Sequence, residues 1–87
     1  MRGSAHVAIS LRLHGSVQGV GFRPWAARLA REMDLRGTIA NTADGVCVDV
    51  HGNPTTLEQF TASLAAPALA GARVDSIETL PLIGQPP

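Results

Sequence analysis

Between residues 7 and 34 the spacing of apolar side chains changes once, from every second position to every third or fourth, and glycines cluster at the change. Val7, Ile9, Leu11 and Leu13 lie on one face with Ser10 and Arg12 on the other, which predicts a half-buried strand over 7–13. Phe22, Trp25, Ala26, Leu29, Ala30 and Met33 then form one stripe at helical spacing. Arg28, Arg31 and Glu32 are left to water, so residues 22–34 read as an amphipathic helix. Pro24 falls in the first turn, where a missing N–H removes no hydrogen bond, and Gly37 is the expected stop. The connection over 14–21, with glycine at 15, 19 and 21, suits a tight loop rather than an element interior.

The remainder divides in the same way. Residues 38–42 are short and β-branched enough for a second strand, and Asp44-Gly45 marks a hairpin turn, although the loop can exceed two residues. Val46, Val48 and Val50 alternate with Cys47, Asp49 and His51 as a third strand. Thr55-x-x-Glu58 has the form of a capping box with Pro54 just before it, and Leu57, Phe60 and Leu64 give a second, narrower helical stripe ending before Pro67. An Ala/Pro/Gly linker covers 65–72, and 73–82 holds a fourth strand. The order βαββαβ predicts an α+β, ferredoxin-like sandwich: one antiparallel sheet with both helices on one face. The expected domain is 7–82, between a 1–6 tail and an 83–87 tail. Met1-Arg2-Gly3-Ser4 reads as readily as an expression scar as native sequence.

Composition narrows the chemistry. With 87 residues there is room for one domain, and 45% hydrophobic against 16% charged residues supplies a core. Seven basic and seven acidic residues cancel, which argues against nucleic acid as a partner, since phosphate neutralisation needs a basic excess. Every basic residue is arginine, so a Walker P-loop, a Schiff-base enzyme and a lysine-based nucleotidyl transfer site are excluded within this chain. Cys47 has no cysteine to pair with, and His6, His14 and His51 are scattered, so no metal site is expected. Nor does any run of about twenty apolar residues suggest a membrane span. The expectation is a cytoplasmic domain with no cofactor.

The informative stretch is Gly15-Ser16-Val17-Gln18-Gly19-Val20-Gly21-Phe22-Arg23. It leads from a strand into a helix N-terminus and sets an arginine in the first turn. Successive N–H groups in such a loop converge into an anion nest. The helix end adds about half a positive charge at the same place. Arg23 completes the cradle with a planar, permanently charged fork suited to phosphate oxygens. This is not a dinucleotide fingerprint, because Pro24 stands where the third glycine would be. The plain alternative is a flexible connection beside a solvated arginine.

Val17-Gln18-Gly19-Val20-Gly21-Phe22-Arg23 resembles the signature of the acylphosphatase family, and residues 37–45, Gly-Thr-Ile-Ala-Asn-Thr-Ala-Asp-Gly, resemble its second motif. The resemblance implies a ferredoxin-like sandwich that hydrolyses acyl phosphates. Arg23 would bind the phosphoryl group together with the amides of residues 15–22, and Asn41 would position the attacking water. Phe22-Arg23-Pro24-Trp25 and the 67–78 segment are similar to one branch in particular, the N-terminal domains of the carbamoyltransferases of hydrogenase maturation. That branch implies carbamoyl phosphate as substrate, and as partners the downstream domains of the same protein and a carbamoyl-accepting maturation protein. Family members also continue past the region matched by 73–82 into one more short strand.

Two other functions stay open at this level: a stand-alone acylphosphatase, and a non-catalytic module that binds an anion or a protein. Asn41 alone carries little weight, since asparagine before a turn serves the backbone in most cases. Trp25 and Phe60 read as core, Ser16 lacks a base to make it a nucleophile, and Cys47 belongs to a helix-free face.

Overall fold

In the computed structural model, residues 6–82 are described. The predicted element order is found: β1 (Val7–Ser16), α1 (Phe22–Glu32), β2 (Arg36–Asn41), β3 (Gly45–Gly52), α2 (Pro54–Ala65) and β4 (Arg73–Pro81). The strands pair antiparallel in the order β2-β3-β1-β4. Leu11 lies opposite Val48 and Leu13 opposite Val46, so the alternating residues of β1 and β3 form one apolar face. Phe22 and Ala26 of α1 and Leu57, Phe60 and Leu64 of α2 join that same core, which puts both helices on one face of the sheet. This is the ferredoxin-like sandwich expected from the element order.

The other face carries Ser10, Arg12, Cys47 and Asp49. Cys47 is half-buried there, its Sγ 3.5 Å from the Ser10 hydroxyl and 3.6 Å from an Asp49 carboxylate oxygen. Trp25 is partly buried and tilts against Phe22 at 5.5 Å between ring centroids, while Phe60 is fully enclosed.

Element ends differ from the sequence expectations for local reasons. Helix α1 stops at Glu32 rather than Asp34, because Asp34 takes a left-handed φ of 59°. Asp34 N–H donates to the Arg31 carbonyl at 3.1 Å and Leu35 N–H to the Ala30 carbonyl at 2.8 Å, the paired bonds of a Schellman ending. Gly37 is therefore not the stop; it lies within β2, opposite Val50. Helix α2 is capped by Asn53, whose side-chain oxygen accepts from the Thr55 N–H at 2.9 Å, with Pro54 in the first helical turn. Thr55 is inside the helix, so the capping box starting there is not formed. Strand β1 runs through Gly15 and Ser16, which pair with Val74 and Arg73 after a register shift at His14/Gly15. The tail predicted for 83–87, and any strand beyond it, lie outside the described residues, as do residues 1–5.

Candidate functional site

The β1–α1 connection is pinned at both ends by its own apolar residues. Val17 and Phe22 are each 1% exposed, so both belong to the core. Between them Gln18, Gly19 and Gly21 are exposed. Gly21, at φ 80°, is the N-cap of α1, and a Cβ built there meets no atom within 4 Å. A left-handed residue with open space in front of it turns the chain into the helix without crowding its first turn.

Among the described residues nothing neutralises that helix end. No side chain caps it and no acidic residue stands in its first turn, although carboxylates are the usual occupants of that position. Arg23, in the same turn, is exposed and forms no ion pair among the described residues. Unpaired first-turn amides, the positive helix end and a guanidinium thus share one place, an arrangement receptive to an oxyanion.

Arg73 is a second cation near the loop, opposite Ser16 in the β1–β4 ladder. It is engaged: its Nε donates to Asp75 Oδ1 at 2.8 Å. That hydrogen bond, aided by the charge of Arg73 and opposed by some desolvation, holds the Asp75 carboxyl below the usual range, and the same bond raises the Arg73 pKa. Arg23 is left as the loop's own cation.

The second motif reaches the loop through the β2–β3 hairpin. Asn41 is the last residue of β2 and lies opposite Val46, which places it on the helix side of the sheet with Ile39. The turn is closed by Thr42 N–H donating to the Gly45 carbonyl at 2.9 Å. Gln18 Nε2 then donates to the carbonyls of Thr42 and Gly45, each at 2.7 Å. A second bridge runs from His14 Nδ1 to Asp44 Oδ2 at 3.4 Å. Loop and hairpin are therefore joined, although Arg23 and Asn41 share no hydrogen bond among the described residues.

Of the eight loop residues expected to surround the anion, 17–21 form the connection itself, Phe22 opens α1, and Gly15 and Ser16 form the end of the strand that enters it. The role of Gln18 as a cross-link was not legible from spacing, because its acceptors lie 24 and 27 residues away. Arg23 also lines a hollow of about 660 Å³ between α1 and β2, floored by Ala27, Ile39 and Val48. A larger hollow of about 840 Å³ between α2 and β4 contains none of the expected site residues. Among the described residues no cluster of three or more His, Cys, Asp or Glu could hold a metal, and no helix is long and apolar enough to cross a membrane.

Fold and site together define a small α+β sandwich with an anion-receptive strand–loop–helix corner cross-linked to an asparagine-bearing hairpin. Residues 9–85 match the sequence model of the Acylphosphatase family, and the chain belongs to that family. It is 37% identical over 75 residues to the acylphosphatase of Corynebacterium glutamicum, covering 85% of this chain and 80% of that protein. It is 44% identical over 75 residues to the carbamoyltransferase HypF of Rhizobium leguminosarum bv. viciae, covering 86% of this chain but 10% of that one. The crystal structure of full-length HypF in its phosphate- and nucleotide-bound form superposes with a TM-score of 0.86 at 27% identity, over 93% of this chain and 11% of that chain. The chain thus spans about a tenth of the HypF proteins it matches, and homologues that are acylphosphatases imply hydrolase activity.

Proposed function

We propose that the chain hydrolyses acyl phosphates at the β1–α1 corner, and that its substrate is carbamoyl phosphate. The observation that carries this reading is the uncompensated N-terminus of α1, with Arg23 in its first turn and the Asn41 hairpin tied alongside. Amides of the 15–22 segment and the Arg23 guanidinium hold the phosphoryl oxygens and take up their charge. Asn41 orients a water in line with the phosphorus. The water oxygen bonds to phosphorus, the bond from phosphorus to the acyl oxygen breaks, and the carboxylate or carbamate leaves with that electron pair while a water proton passes to solvent. The leaving group of such an anhydride is good, so positioning and charge stabilisation suffice without a nucleophile or metal.

Carbamoyl phosphate is favoured over other acyl phosphates by the 44% identity to a HypF carbamoyltransferase and by the Pro24-Trp25 sequence after the motif arginine. On this reading the chain works in the cytoplasm as a domain of a longer carbamoyltransferase. It supplies carbamate to ATP-dependent domains that load a partner protein of hydrogenase maturation. The match over 80% of a Corynebacterium acylphosphatase supports a second reading, a stand-alone enzyme with the same site.

The test is phosphate release from carbamoyl phosphate and acetyl phosphate. Arg23→Ala is expected to lose phosphate binding and turnover together, by at least about 100-fold. Asn41→Ala should keep phosphate binding and lose turnover by a similar factor. Equal binding losses in both variants contradict the assigned roles. Preference for acetyl phosphate favours the stand-alone reading, and phosphate binding without turnover by wild type leaves an anion-binding module.

A further inference from the structure

We propose that Gln18 is a positioning residue: its side-chain amide clamps the β1–α1 loop to the β2–β3 hairpin and sets the register between the bound phosphoryl group and the water oriented by Asn41. This role rests on the acyl phosphate hydrolase reading.

A carboxamide nitrogen carries two hydrogens, and Gln18 spends both on backbone carbonyls, those of Thr42 and Gly45, at 2.7 Å each. No side-chain donor is left for substrate, so Gln18 acts through the hairpin. Thr42 is the residue after Asn41, and both of its backbone polar groups are held: its N–H by the Gly45 carbonyl at 2.9 Å and its carbonyl by Gln18. Two carbonyl oxygens that approach one nitrogen this closely direct their negative ends at the same point. Without the amide they would repel each other and open the mouth of the hairpin beside a site built for an anion. On the loop side Gln18 follows the buried anchor Val17 and precedes Gly19, whose φ is 76°. The clamp therefore ties a rigid end of the loop to the peptide adjoining Asn41.

The experiment uses the 87-residue chain and two variants. Gln18→Met keeps the length of the side chain and removes the donors, and Gln18→Asn keeps the donors but shortens the reach by one methylene. Hydrolysis of acetyl phosphate is measured alongside competitive inhibition by inorganic phosphate. In both variants kcat is expected to fall about 10- to 100-fold, the scale of a misplacement near 1 Å. The inhibition constant for phosphate should change less than about 3-fold, because Arg23 and the loop amides remain. Combined with Asn41→Ala, Gln18→Met should add less than about 3-fold to the loss, since both act on one water.

A role confined to stability lowers only the folded fraction, so kcat per folded molecule, with that fraction read by circular dichroism, stays at the wild-type value and the loss adds in full to that of Asn41→Ala. That pattern, or unchanged kcat in folded Gln18→Met, overturns the proposal. If Gln18→Met does not fold, Gln18→Asn gives the same split or overturns it. Wild type that binds phosphate without turnover fails the hydrolase reading and this role with it, an outcome distinct from active wild type with an equally active Gln18→Met.

Discussion

A methyl group on residue 15 would run into the Arg73 carbonyl oxygen and stand 2.9 Å from the Asp75 nitrogen, whereas one on residue 21 would meet nothing within 4 Å. Both glycines have positive φ, 148° and 80°, so both disfavour an L side chain, but only Gly15 is also confined by a neighbouring strand. Gly21→Ala should therefore cost about 1–2 kcal/mol of backbone strain. Gly15→Ala adds a steric displacement of β4 to that strain, for a total of about 3 kcal/mol. Urea denaturation of the two variants should give that order; equal losses would mean that the approach of Arg73 relaxes freely. The residue scale also divides one motif by burial: Val17 and Phe22 serve the core, while Gln18, Gly19, Gly21 and Arg23 stay exposed.

At the scale of elements, both helices end differently from what propensity suggests, and each ending can be measured. Asn53, not Thr55, accepts the first-turn N–H of α2. Asn53→Ala should thus cost about 1 kcal/mol, while Thr55→Ala, which removes no capping oxygen, should stay within about 0.5 kcal/mol. Asp34 holds the left-handed position after α1 with a side chain that disfavours it. Asp34→Gly should raise stability by up to about 1 kcal/mol, read as a higher urea midpoint at unchanged slope. The Ser/Thr/Asx rules point to a capping segment but do not choose between Asn53 and Thr55, because both have side-chain oxygens and adjoin Pro54.

Across the whole molecule, stability comes from one apolar layer between sheet and helices. Phe60 is 0% exposed at its centre. Phe60→Ala should cost about 3–5 kcal/mol, a large share of the roughly 5–15 kcal/mol that holds a typical domain. The exposed Arg73–Asp75 pair contributes differently. Asp75 has a lowered folded-state pKa, so its stabilisation is fully present above the ordinary carboxylate pKa and is lost as pH falls through the depressed one. The melting-temperature difference between wild type and Asp75→Asn should accordingly be constant near neutrality and vanish in acid. A difference that grows on acidification would contradict the sign.

The element order, the two helical stripes and the alternating strands were legible because each follows from local periodicity, and they suffice to select the sandwich. The Gly15–Arg23 corner was legible too, since a glycine loop entering a helix with an arginine in its first turn is a contiguous feature. Tertiary structure alone decided what contiguity does not encode: the β2-β3-β1-β4 order, the extension of β1 through Gly15 and Ser16, and the Gln18 bonds that bring residues 18, 42 and 45 together. The reason is physical. Periodicity records which face of an element meets the core, whereas a hydrogen bond between segments more than twenty residues apart depends on how those faces have already been stacked.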